Sequence, residues 1–320
     1  MGPLEITLIV LGVVLFLLIS GGIFTVFYTS KIARKLYRLQ WTRDSEAKFK
    51  RGCSDKGFDY HLDMFNKGMK YHDSKLANIT EHEIKSMGLK LVAEYYDFGF
   101  DKAVIILPGR METCYYGAFY APAFEKAGYN VLSPDPRAHG LSEGDKITLG
   151  KYESIDAIEW AKYLHDKLGV KEVCLYGICG GATAACIASN NKDCPEYVNS
   201  FVLDGMFYSF FRVYKRHIKD EKKPVYPVIW EVMHYIKKYN DAEPYKAAPH
   251  KLIKNMHQRV LILSGSKDIF AISKEAKKMY DLCPSKDKHF ALIENGRHSH
   301  LRYDNEEQYD SAIYNFLKMQ

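Results

Sequence analysis

The sequence predicts an α/β chain: a mostly parallel sheet with helices on both faces and a helical cap insertion, preceded by one N-terminal transmembrane helix. Three observations carry this expectation. From about residue 82 short apolar runs alternate with segments of helical spacing. The chemically suggestive residues fall just after those runs, where parallel sheets gather functional groups. Residues 6–28 form a stretch without a single charge.

As a helix that stretch, ITLIVLGVVLFLLISGGIFTVFY, spans roughly 35 Å, enough for a hydrocarbon core of about 30 Å with some tilt. A buried core helix seldom runs so long and so uniformly apolar. A cleaved signal peptide would open with a basic residue and close with a small-x-small site. The chain begins Met1-Gly2-Pro3-Leu4-Glu5, and no Ala-x-Ala follows the run. Residues 1–30 are therefore expected to be a retained anchor. Basic residues then crowd together (Lys31, Arg34, Lys35, Arg38, Arg43, Lys48, Lys50 and Arg51) against Asp44 and Glu46. Such residues stay on the cytoplasmic side, which predicts a single-pass protein of the cell membrane with the bulk of the chain in the cytosol. The seven cysteines agree with a reducing compartment: an odd number, scattered and without metal-ligand spacing, they suggest neither a disulfide framework nor a zinc site. With 47% hydrophobic and 26% charged residues the chain is globular rather than disordered. No polybasic tract points to a nucleic-acid partner.

Residues 31–81 read as a basic juxtamembrane helix and connector. Their aromatic residues (Tyr37, Trp41, Phe49, Phe58, Tyr60, Phe65, Tyr71) suit packing on the domain behind better than an interfacial position. Residues 82–320 carry the alternating elements. A hairpin is expected at 83–98, and strands at 103–107, 129–133, 172–178, 200–203, 259–263 and 290–293. Helices are expected at 116–127, 151–168, after residue 180, at about 272–282 and at 306–318. The run AVIIL at 103–107 is short, continuously apolar and β-branched, the mark of a strand buried on both faces.

Cys179 sits between a strand and a helix in Gly177-Ile178-Cys179-Gly180-Gly181. Such a bend forces its central residue into strained torsion angles, so neighbours without side chains must let the chains approach. The side chain is left exposed, with the N–H of Gly180 and the positive end of the new helix aimed at the same place. Cys174, Cys186 and Cys194 read as buried small apolar residues instead. A thiol nucleophile needs a base, and the base an orienting carboxylate. Asp268 follows the strand at 259–263 in LSGSKDIF, and His298 follows the last strand in ENGRHSH. Each is weak alone, since a loop Asp is usually a turn former and a loop His usually solvated. His300 competes with His298, and Asp204 in FVLDG stands as a reserve acid.

Residues 82–320, about three quarters of the chain, resemble the α/β-hydrolase superfamily, and specifically its bacterial serine-aminopeptidase and lysophospholipase-like branch. SMGLKLVAEYY is similar to the family's leading strand. Residues 104–145 resemble its oxyanion loop, second strand and Asp-x-Arg-x-His-Gly turn. Gly177 to Gly181 match the elbow, Gly265-Ser266-Lys267-Asp268 the acid loop, and Gly296-Arg297-His298-Ser299 the histidine loop. By this resemblance Cys179, Asp268 and His298 form the catalytic triad, the backbone N–H groups of Arg110 and Gly180 form the oxyanion hole, and His139, Gly140 and Asp135 are structural. Two departures stand out. Pro108-Gly109 replaces the usual His-Gly, and Cys179 replaces serine, as in dienelactone hydrolases and polyhydroxyalkanoate synthases, from which only the idea of a thiol nucleophile transfers.

The implied chemistry is acyl transfer through a covalent thioester on a small-molecule ester or thioester, with no metal or organic cofactor; esterase, lysophospholipase and thioesterase activities outrank a peptidase. An insertion at about 205–258 occupies the place of a cap. Its apolar residues (Phe207, Phe210, Phe211, Tyr214, Val228, Ile229, Trp230, Met233, Ile236) either line an acyl pocket or pack the cap on the sheet, packing being expected of most. A lipophilic, lipid-like substrate near the bilayer is the preferred reading. A catalytically inactive binding or scaffold protein and a thiol-dependent acyltransferase are the rivals.

Overall fold

The structure, a computed structural model, describes residues 2–45, 49–54 and 56–318. Glu46 and Lys48 of the charged run lie outside the described residues. The chain opens with α1 (Pro3–Trp41), a helix long and apolar enough to cross a membrane. None of its most apolar stretch is buried against the rest of the protein. No break falls at the expected boundary between anchor and juxtamembrane segment near residue 30. Residues 23–41 contain neither proline nor glycine, so the helix carries on as its surroundings change. Its last turns bury Ala33, Leu36, Tyr37 and Trp41, a stripe at helical spacing.

After α2 (Asp59–Ser74) comes a hairpin of β1 (Ile79–Ser86) and β2 (Leu89–Tyr96), then β3 (Lys102–Leu107), α3 (Cys114–Ala127), β4 (Asn130–Pro134), α4 (Glu153–Leu168), β5 (Glu172–Ile178), α5 (Gly180–Ala188) and β6 (Val198–Asp204). The insertion comes next as α6 (Phe210–Asp220), α7 (Val228–Tyr239) and α8 (Pro249–Leu252). The chain ends with β7 (Arg259–Gly265), α9 (Ser273–Leu282), β8 (Lys288–Ile293), α10 (Leu301–Asp304) and α11 (Glu306–Lys318). One sheet holds the strands in the order β1-β2-β4-β3-β5-β6-β7-β8. Pairs from β4 and β3 through β8 are parallel, and only β1/β2 and β2/β4 are antiparallel.

The two-residue period of a strand sorts the core. In β3, Ala103, Ile105 and Leu107 face α4 and α5, while Val104 and Ile106 face α3 and α11. Both faces are covered, which is why this strand reads as an unbroken apolar run. Each such buried aliphatic side chain contributes about 1.5–3 kcal/mol of burial.

A third apolar cluster joins the end of α1 to the cap: Ala33, Leu36, Tyr37 and Trp41 pack with Val228, Ile229, Val232, Met233 and Ile236 of α7 and with Phe210 and Tyr214 of α6. Polar contacts fix the register. Ser30 Oγ donates to Glu231 at 2.6 Å, Tyr37 Oη to Asn240 at 2.5 Å, and Asn240 Nδ2 to the carbonyls of Trp41 and Ile147, both at 2.9 Å. The expected packing of Tyr37 and Trp41 on the domain behind is thus realised.

Candidate active site

Each candidate side chain stands just past the carboxyl end of a strand. Cys179 forms the bend between β5 and α5, with φ 51° and ψ −101°, torsion angles an L-residue adopts only when its surroundings enforce them. The outer glycines are required for close approach. A Cβ at Gly177 would lie 2.3 Å from the carbonyl carbon of Gly181, and one at Gly181 would lie 2.1 Å from the carbonyl oxygen of Leu107. Gly180 faces open space. The Cys179 N–H donates to the carbonyl of Asp204 at 2.9 Å, tying the bend to β6. Its thiol is partly exposed. Cys174 and Cys186 are buried and Cys194 is half-buried; burial pushes their thiols up to about 12, about 12 and about 11.

Asp268 lies in the loop after β7 with its carboxylate fully buried. Oδ1 accepts the N–H groups of Phe270 at 2.8 Å and Ala271 at 2.7 Å, and Oδ2 faces His298 Nδ1 at 2.7 Å. Burial alone would raise this carboxyl; the charge and hydrogen bond of His298, with the two backbone donors, outweigh it and hold the group below the ordinary carboxylate value. For His298 burial works against the charged ring, yet Asp268 and then Cys179 prevail, and the ring holds its proton well above the ordinary imidazole value. Its Nε2 is buried without a hydrogen-bond partner of ordinary geometry, while Cys179 is near enough to bear on the ring.

The competitors are placed elsewhere. His300 turns into a buried network, its Nδ1 2.8 Å from the carbonyl of His298 and its Nε2 3.0 Å from His61 Nδ1. Burial lowers its ring to about 4. Asp204 accepts the hydroxyls of Tyr176 at 3.2 Å and Tyr309 at 2.6 Å, and burial pushes it up to about 7. Of these groups it is His298 and Asp268 that pair with each other.

The N–H groups of Gly180 and Arg110 find no acceptor among the described residues. The loop carrying Arg110 is held by a group that sequence reasoning missed. Glu112, buried, accepts the Gly109 N–H at 2.7 Å and is pushed up to about 7 by burial. The available signal was an acid three residues past Pro108-Gly109, the spacing that lets a carboxylate reach back to a turn N–H. Asp135, fully buried, accepts the N–H groups of Cys114 at 3.0 Å and Leu141 at 2.9 Å and pairs with Arg51 at 2.8 Å. His139 stacks on Phe49 beside it, and burial lowers its ring to about 4. These contacts brace the turn.

A pocket partly open to solvent reaches Cys179, Gly180, Gly181 and Arg110. Of the nine apolar cap residues singled out, Phe207, Phe210 and Tyr214 line it. Val228, Ile229, Met233 and Ile236 pack against α1, Phe211 stacks on Tyr245, and Trp230 is exposed. Trp41, contributed by the end of α1, also lines the pocket.

Residues 102–215 match a family model described as alpha/beta hydrolase fold. The chain is 22% identical over 200 residues to the uncharacterized protein YqkD of Bacillus subtilis (strain 168), an alignment covering 62% of this chain and 65% of that protein's length. Among solved structures it is similar to the Pyrococcus furiosus esterase Pf2001, with a TM-score of 0.65, 20% identity and coverage of 85% of this chain and 97% of that one. It is also similar to the alpha/beta hydrolase GrgF from Penicillium sp. sh18, with a TM-score of 0.57, 15% identity and coverage of 75% and 98%. At these identities the likeness speaks to architecture.

Proposed function

We propose that this chain, which has the α/β-hydrolase fold, is a membrane-anchored hydrolase that cleaves ester or thioester substrates through a Cys179–His298–Asp268 triad. The observation that carries this reading is the 2.7 Å pair between His298 and the buried Asp268, with the free Nε2 of the ring on the side of a strained, half-exposed cysteine. Asp268 fixes the tautomer with the proton on Nδ1, leaving Nε2 to take the proton of the thiol. The raised proton affinity of His298 makes it a stronger base for that step. The sulfur attacks the acyl carbon, and the N–H groups of Arg110 and Gly180 hold the oxyanion, each worth about 3–4 kcal/mol in comparable sites. The leaving group takes the proton from His298. Water, deprotonated by the same ring, then releases the acid and restores the thiol.

The apolar lining of the pocket supports a lipophilic acyl chain. Anchoring rests on the exposed apolar length of α1, and the basic residues after it favour a cytoplasmic catalytic domain. The test is turnover of short- and long-chain acyl esters and thioesters by wild type, Cys179→Ala and Cys179→Ser. Loss of turnover in the alanine variant supports the reading, and equal turnover in all three removes Cys179 from the mechanism.

A further inference from the structure

The backbone N–H of Arg110 belongs to the expected oxyanion hole, yet its side chain is an unusual feature of the pocket in its own right. The guanidinium lies on the pocket wall over the ring of Trp41, 4.9 Å from its centroid, and Nη1 is 3.5 Å from the carbonyl of Gln40. Among the described residues no carboxylate stands within ion-pair distance of it. Glu221, the carboxylate whose charge bears on it, instead receives Gln40 Nε2 at 3.3 Å. The other arginine on the wall, Arg137, is clamped by both oxygens of Asp156 at 2.7 and 2.6 Å. His217, also lining the pocket, supplies no negative charge; burial, then Arg110 and His298, lowers its ring to about 3.

Arg110 is partly buried on the pocket wall, where burial works against its charge, and a cation so placed is normally retained where it meets an anion. The pocket walls are apolar at Leu107, Ile147, Phe207 and Val213, and the carboxylates that also line it are taken up elsewhere, Asp135 by Arg51, Asp156 by Arg137 and Glu153 by the N–H groups of Thr148 and Gly150. A guanidinium presents paired donors that fit a carboxylate or a phosphate. We propose that Arg110 binds an anionic group, carboxylate or phosphate, on the substrate whose acyl carbon Cys179 attacks. The substrate class is then an acyl ester or thioester that is both lipophilic and negatively charged. This deepens the hydrolase reading and rests on it. The anion has two chemical sources, the acyl group itself, as in a dicarboxylic monoester, or the leaving alcohol, as in an acylglycerol phosphate.

The experiment measures kcat/KM of the detergent-solubilised full chain on matched pairs. The acyl arm compares p-nitrophenyl butyrate with p-nitrophenyl monoglutarate; the alcohol arm compares a monoacylglycerol with the same acylglycerol phosphate. Wild type is expected to favour the charged member of one arm, which names the source, and Arg110→Gln is expected to lower that charged-to-neutral ratio by about 10- to 100-fold. Ratios unchanged by the substitution in both arms overturn the proposal. A second readout is independent of turnover: decyl phosphate binding to Cys179→Ala protein, monitored by tryptophan fluorescence. Binding that Arg110→Gln abolishes supports the anion site even if no ester is cleaved, in which case only the hydrolase reading falls. Equal binding with and without the guanidinium overturns the site and leaves the nucleophile untouched.

Discussion

Asp268→Asn removes one charge and almost no volume, and the surroundings of the carboxylate dictate how the amide must sit. Oδ1 is fixed by two backbone donors at 2.8 and 2.7 Å, so the amide oxygen of asparagine must occupy that position to satisfy them. The amide nitrogen then takes the place of Oδ2, 2.7 Å from His298 Nδ1. A nitrogen that donates there makes Nδ1 an acceptor and moves the ring proton to Nε2, the position that must be bare to receive the thiol proton. The ring also loses its strongest favourable charge partner. In comparable triads this tautomer trap lowers kcat by about 10⁴-fold, or about 5.5 kcal/mol of barrier. The assay is kcat/KM on a short acyl ester, with the titration of His298 recorded by NMR in parallel. The ring's pKa should fall in the variant. A loss of activity below about tenfold, or an unmoved titration, refutes the assignment of Asp268 as the orienting group.

Three further outcomes are expected. Gly181→Ala must push a methyl group into the Leu107 carbonyl and should cost about 1–3 kcal/mol or more in chemical denaturation, whereas Gly180→Ala, facing open space, should cost under about 1 kcal/mol; equal costs contradict the packing of the bend. Glu112 is raised from 4.5 to about 7, so the fold holds its proton where the unfolded chain has lost it, and that stabilising contribution is complete below pH 4.5 and lost as pH rises through about 7. The stability of Glu112→Gln relative to wild type should therefore improve by about 3 kcal/mol between pH 4.5 and 8, and a difference independent of pH denies the burial of that carboxyl. Trp41→Ala, which empties a site packed by Phe210, Tyr214 and Arg110, should cost about 3–5 kcal/mol; a cost below about 1 kcal/mol means α1 does not dock on the cap.

The sheet was legible because its strands are buried on both faces. The apolar run at 103–107 and the stretch at 172–178 emerge as β3 and β5 within a residue of the expected bounds. The elbow was legible for a different reason, since only glycine can stand where Gly177 and Gly181 press on neighbouring backbone. Less readable was the stretch expected to be a connector. It holds α2, whose buried stripe is His61, Met64, Gly68 and His72. The spacing is helical, but two histidines and a glycine hide it from a hydrophobicity count. His61 is buried through a hydrogen bond to His300, and Gly68 because a Cβ there would lie 3.0 Å from the backbone nitrogen of Phe119. Nor could the sequence foretell that α1 would run on to place Trp41 in the pocket, because hydropathy changes at residue 30 while helix geometry does not. The side chain of Arg110 escaped for a related reason: that a charge lacks a partner becomes visible only when the whole wall around it is assembled.

Trapping the acyl-enzyme tests the thiol nucleophile most directly. Wild-type protein is mixed with a slowly hydrolysed thioester, quenched in acid and digested, and the acyl mass is located by peptide mass spectrometry. A catalytic Cys179 requires one acyl group on that residue, building up within the first turnover and absent from Cys179→Ala. Acyl groups spread over the other cysteines, or steady turnover with Cys179 unmodified, would contradict it.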